Sequence, residues 1–129
     1  MQRFLRSACA INGFLAVALG AFGAHGLKAR LADASDAARR LDWWQTASHY
    51  HLFHALALGL LASWAGRGAD RAVPLAGGAL LTGIVLFSGS LYAMTLTGQT
   101  ALGMVTPVGG LALLFGWGAL LVSALKQRG

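Results

Sequence analysis

Glutamate is absent from this chain of 129 residues, and only Asp33, Asp36, Asp42 and Asp70 carry negative charge. Paired carboxylates for acid–base catalysis are therefore not visible, nor is a nucleophile–base pair. The one cysteine, Cys9, allows no internal disulfide and says nothing about redox compartment. It reads as a small core residue. Charged residues make up only 11% of the chain, against roughly 25% in an ordinary soluble domain. The charges lie outside the longest apolar runs, as a polytopic membrane protein requires, since a charge at the bilayer centre costs roughly 2.5–3.5 kcal/mol on the insertion scale. Glycine is abundant, at 18 residues, but has no collagen-like period.

The net charge of +6 does not indicate nucleic acid. The basic residues form short clusters at the ends of apolar runs and no stripe. They suit lipid headgroups and topology signals instead.

The stretch from Trp43 to Trp64 organises the rest. It reads as a helix with an indole at each end. Trp44 and Trp64 are about 30 Å of helix apart, close to a bilayer's hydrocarbon thickness. Aromatic rings favour the two membrane interfaces. The uninterrupted apolar part, Leu52–Ala65, has fourteen residues. That is short of the roughly 17–25 a span needs, so His49, Tyr50 and His51 must be drawn into the interface or deeper.

Four spans follow, at about 7–26, 43–65, 72–93 and 107–125. The predicted fold is all-α: one four-helix transmembrane bundle over residues 1–129. A short amphipathic segment, Leu27–Asp42, follows the first helix, and Ser35 is a candidate cap for the second. The basic start and short apolar core also suit a signal peptide; the expectation is a retained helix. Gly66 and Gly68 break the chain beside Arg67, Asp70 and Arg71, and Thr106-Pro107 opens the fourth helix. Small residues lets helices approach closely in lipid. Asn12, Ala16, Gly20 and Gly23 form one such stripe. Gly78, Thr82, Val85, Gly89 and Ala93 form another. Both termini are expected in the cytoplasm, because Arg3, Arg6, Arg67, Arg71, Lys126 and Arg128 share their side against Lys28, Arg30, Arg39 and Arg40 on the other.

This topology gathers polar groups in the outer half of the bundle: His25, Tyr50, His51, His54, Ser88, Ser90, Tyr92 and Thr106. His51 and His54 are expected inside, His49 at the interface. Several uses compete. Neutral histidines can tie helices together by hydrogen bonds. Intramembrane ionisable groups also suggest a small-molecule or proton site. A metal could sit on His51, His54 and His25, but no acid or cysteine completes the shell. Haem could lie between His25 and a histidine of the second span, although nothing marks opposed rings. We expect no metal or other cofactor; an enzyme ranks third among the readings, since no nucleophile–base pair or paired carboxylate is visible. The expected partners are the lipid bilayer and a homo-oligomer or larger membrane complex.

Four ordered strings carry a resemblance: Gly20-Ala21-Phe22-Gly23-Ala24-His25-Gly26, Trp44-Gln45-Thr46-Ala47-Ser48-His49-Tyr50-His51-Leu52-Phe53-His54-Ala55, Gly83-Ile84-Val85-Leu86-Phe87-Ser88-Gly89-Ser90-Leu91-Tyr92 and Thr106-Pro107-Val108-Gly109-Gly110. Over nearly its whole length the chain resembles the small bacterial inner-membrane family catalogued as domain of unknown function four-two-three, related to eukaryotic transmembrane protein two-five-six. The resemblance implies a four-helix integral membrane protein of the cytoplasmic membrane. It brings no activity, substrate or catalytic residue. It also implies that the eight polar residues and Pro107 belong to the family's shared pattern.

Overall fold

The computed structural model describes residues 1–65 and 71–126. The described residues contain no strand and build four long helices. Helix α1 is Gln2–Arg30, α2 Ala37–Trp64, α3 Ala72–Thr97 and α4 Thr100–Lys126. Three of them, α1, α3 and α4, are long and apolar enough to cross a membrane. Helix α2 is as long, at 28 residues, but its first turns carry Arg39, Arg40 and Asp42 and its middle carries the histidines.

The helices are not uniform. Wider π-type turns interrupt α1 at Gly23–Leu27 and α3 at Ile84–Ser88, and α4 opens with a tighter 3-10 segment, Thr100–Met104. A π turn inserts one residue and rotates everything beyond it. Helix α3 ends where Gly98 takes φ +74°, a left-handed cap that glycine adopts without a Cβ penalty.

Helix α1 packs along α2, α2 against α3, and α3 along α4. One core joins Leu5, Leu58, Leu61, Leu80, Leu113 and Leu120. A second, at the other end, joins Leu27, Leu31 and Trp44. The tightest seam lies between α3 and α4. Leu113 seats over Gly83, and Leu80 over Gly116, where a Cβ would stand 2.7 Å from a Leu80 methyl. Gly109 lies directly on the backbone of Leu86 and Phe87. In lipid such close packing drives association, because there is no hydrophobic contrast between helices. The outer surface is correspondingly apolar: Phe14 is 74% exposed and Leu114 69%.

Several expectations change. Leu27–Asp42 is not a separate amphipathic helix. Its first part continues α1 to Arg30, and α2 already begins at Ala37. The apolar spacing belongs to two helix ends meeting at one cluster, where Leu27 and Leu31 bury against Trp44. Asp36, not Ser35, precedes α2, and no side chain caps it. Helix α3 runs to Thr97, past Ala93.

The Gly78–Thr82–Val85–Gly89–Ala93 seam faces outward. Gly78, Thr82 and Val85 are exposed, and a Cβ at Gly78 or Gly89 would meet nothing within 4 Å. The buried phase of α3 instead runs through Val73, Ala76, Gly77, Leu80 and Gly83, since large residues on that side fill the core. On α1, Gly23 packs on Trp44 and Ala16 is buried, whereas Gly20 borders open space. The break expected at Gly66, Arg67, Gly68 and Asp70, and the charge at Arg128, lie outside the described residues.

Candidate functional site

Helix α2 carries the polar residues, and its phase sorts them. His51 and His54 turn inward and are 5% and 7% exposed. His49 and Tyr50 lie on the outer side. Around His51 three helices meet. The Asn12 amide of α1 donates to the Ala8 carbonyl at 2.8 Å, which orients its oxygen toward His51 Nε2 at 3.1 Å. That oxygen can only accept, so Nε2 carries the proton. Nδ1 is then free to accept from the Tyr92 hydroxyl of α3, at 3.4 Å. One neutral imidazole thus uses both ring nitrogens to tie α1, α2 and α3.

His54 behaves differently. Its Nδ1–H donates to the Tyr50 carbonyl at 2.6 Å, one turn back on its own helix. Its ring stacks on Tyr50 and presents an edge to Trp117 of α4, with centroids 6.3 Å apart. Nε2 is left as an acceptor without a hydrogen bond to any described residue. Tyr50 also stacks on Phe87, at 4.3 Å.

Helices α3 and α4 share a second polar tie. Ser90 donates to the Phe87 carbonyl at 3.0 Å and receives the Thr106 hydroxyl at 2.7 Å. Ser88 differs: it is 1% exposed, and its hydroxyl has no partner. Ser123 is alike in this.

His25 stands apart. It is exposed and lines a shallow groove with Lys28 and Ala37, away from His51 and His54. The sequence placed His25 only by its end of α1; two positions from both buried Gly23 and buried Leu27, it lies on the opposite, outward face. Among the described residues, no group of three or more histidine, cysteine or acidic side chains could hold a metal ion.

Two arrangements had no counterpart in the sequence reading. The Arg40 guanidinium donates to the Thr95 and Leu96 carbonyls at 2.7 and 3.1 Å, and Thr95 returns a bond to the Arg40 carbonyl at 3.1 Å. A cation there complements the negative end of α3 and occupies carbonyls that the helix leaves open. The signal was available: four orphan carbonyls at the end of any helix need donors, and Arg40 is one of the few near this one. The other is Trp44. Its indole N–H donates to the Leu19 carbonyl at 2.7 Å, and its ring sits between Phe22 and Tyr92.

The family model described as "Protein of unknown function (DUF423)" matches residues 19–110. The chain belongs to the DUF423 family. It is 44% identical over 118 residues to the UPF0382 membrane protein YwdK of Bacillus subtilis, covering 91% of this chain and 92% of the relative. It is 42% identical over 127 residues to the UPF0382 inner membrane protein YgdD of Escherichia coli, covering 98% and 93%. A UPF0382 membrane protein of Staphylococcus epidermidis is 40% identical over 120 residues, covering 93% of each. No solved structure matches. These DUF423 relatives carry no named activity, so the reading of the site rests on its own geometry.

Proposed function

We propose that this DUF423 protein is a structural and interaction bundle of the bacterial cytoplasmic membrane. All four helices cross the bilayer, α2 included, and both termini face the cytoplasm. Helix α2 is tolerated in hydrocarbon because His51 and His54 turn inward and each ring hydrogen-bonds to the protein, as polar groups deep in lipid must. The single observation that carries this reading is His51, whose ring nitrogens are engaged by Asn12 and Tyr92. A side chain so engaged fixes packing. The outward face of Gly78, Thr82 and Gly89 is then available to a second copy or to a larger complex. Cysteine crosslinking in native membranes from Thr82→Cys, on a Cys9→Ser background, tests this. A discrete dimer or larger adduct is expected. Monomer alone would overturn it.

A second reading, a small-molecule or proton site at His54, is favoured by its Nε2, which makes no hydrogen bond to any described residue. Nitrogen NMR of His54 in bilayers distinguishes it. A site that takes up a proton shows Nε2 titrating between about pH 5 and 8. A purely structural ring keeps one tautomer throughout.

A further inference from the structure

Beside the α1–α2 contact runs a groove of about 700 Å³, walled on α1 by Ala16, Gly20 and Ala24 and on α2 by Gln45, His49 and Leu52. Lys28 closes one end, and the same Lys28 also borders the adjoining shallow groove, of about 540 Å³, that His25 lines. We propose that the two grooves together hold one anionic phospholipid of the bilayer, phosphate at Lys28 and His25, one acyl chain along α1. The proposal rests on α1 and α2 lying side by side in the membrane, and on no other part of the functional reading.

The chemistry is graded with depth. Lys28 and His25 occupy the end of α1, level with the start of α2, and neither makes a hydrogen bond or ion pair with any described residue. The acids nearest in sequence do not neutralise them: Asp36 is engaged by Arg39 and Arg40, and Asp33 and Asp42 line neither groove. An uncompensated ammonium at this level matches a lipid phosphate. One turn deeper than Leu41, Gln45 lines the groove and its side chain makes no hydrogen bond to a described residue, at the level where the ester carbonyls of a phospholipid lie. Below it the α1 wall is uncharged and mostly small: Ala16, Val17, Gly20 and Ala21. From Lys28 to Ala16 the groove follows about 18 Å of helix, against about 15 Å for one leaflet of hydrocarbon. The depth suits a single acyl chain. The groove stays open because Gly20 has no side chain and nothing stands within 4 Å of where its Cβ would be.

The test uses the full chain in phosphatidylcholine vesicles with a trace of lipid spin-labelled on the acyl chain, either phosphatidylglycerol or phosphatidylcholine. The spectrum reads the fraction of label immobilised by the protein. Phosphatidylglycerol should be retained about fivefold more strongly, which is the effect of about 1 kcal/mol per basic side chain near the surface. Lys28→Gln should abolish that preference, and Arg3→Gln, the same charge change at the other end of α1, should leave it. Gly20→Leu should fill the groove and lower the immobilised fraction of both labels to that of the ordinary lipid shell, while the helical circular dichroism stays unchanged, since the position is sterically open. Equal retention of the two lipids, or a preference indifferent to Lys28→Gln, or retention indifferent to Gly20→Leu, overturns the proposal. The absence of any immobilised lipid would overturn the membrane placement as well.

Discussion

Gly109→Ala should separate α3 from α4, whereas Gly110→Ala, its neighbour, should not. At Gly109 an added Cβ would stand 2.7 Å from the Leu86 carbonyl carbon and 2.8 Å from the Phe87 Cα, and closer still to the Phe87 nitrogen. These are backbone atoms and cannot rotate aside. Ordinary contact begins near 3.4 Å, so the helices must part by at least about 0.7 Å at this point. A radial gap of that size forfeits roughly a quarter to a half of each dispersion contact. The loss spreads along the seam, because Leu113 in Gly83 and Leu80 on Gly116 share the same helix pair. Overpacking of this kind costs about 1–3 kcal/mol, and the rigid partner puts Gly109→Ala at the upper end. At Gly110 the Cβ meets only the Phe87 ring, at 3.8 Å, and at Gly118 nothing within 4 Å. Both alanine variants should stay within about 0.5 kcal/mol of the parent. Reversible unfolding in mixed micelles, followed by tryptophan fluorescence, measures all three. Equal stability for Gly109→Ala and Gly110→Ala would refute the packing described for this seam.

Asn12→Leu leaves the His51 Nε2–H buried without an acceptor and should cost about 1–2 kcal/mol; the double variant Asn12→Leu/His51→Leu should recover part of that, as a double-mutant cycle in the same unfolding assay will read. Arg40→Met removes the donors at the end of α3 and should destabilise it by about 1–2 kcal/mol, with faster amide exchange confined to the last turn before Gly98. Gly23→Ala drives a methyl into the Trp44 indole, 2.6 Å from its nitrogen, so the bond to the Leu19 carbonyl should break and Trp44 fluorescence should shift.

The all-helical architecture was legible because long apolar runs separated by charged or polar, glycine-containing turns admit little else. So was the inward turn of α2, where helical spacing puts His51, His54 and Leu58 on one face. The site beyond that was only partly legible. A wheel drawn at 100° per residue assumes a regular helix, and the π turns at Gly23–Leu27 and Ile84–Ser88 break that assumption. His25 was misplaced for a simpler reason: only its end of α1 was considered, whereas its phase, two positions from buried Gly23 and Leu27, turns it outward. The α3 seam was misjudged for a different reason. Small residues lie on both faces of α3, and the wheel cannot say which face is covered. The choice is made by Leu80, Leu113 and Leu120, which must be buried somewhere, and that is a property of the partner helices. Arg40 went unnoticed as a structural residue because the open carbonyls at the end of α3 call for a donor without saying which one, and Arg40 lies more than fifty positions away in sequence.

The central claim is that hydrocarbon surrounds α2 on one side while neighbouring helices cover the other. Nitroxide labels placed singly at Phe53, Leu56 and Leu60, which are exposed, and at Ala55, Leu58 and Leu61, which are buried, test it directly in vesicles. Oxygen, which concentrates in lipid, should relax the first three labels strongly and the last three weakly, and a water-soluble nickel reagent should reach none of them. Nickel reaching Phe53 and Leu56 as freely as it reaches an exposed loop would contradict the account.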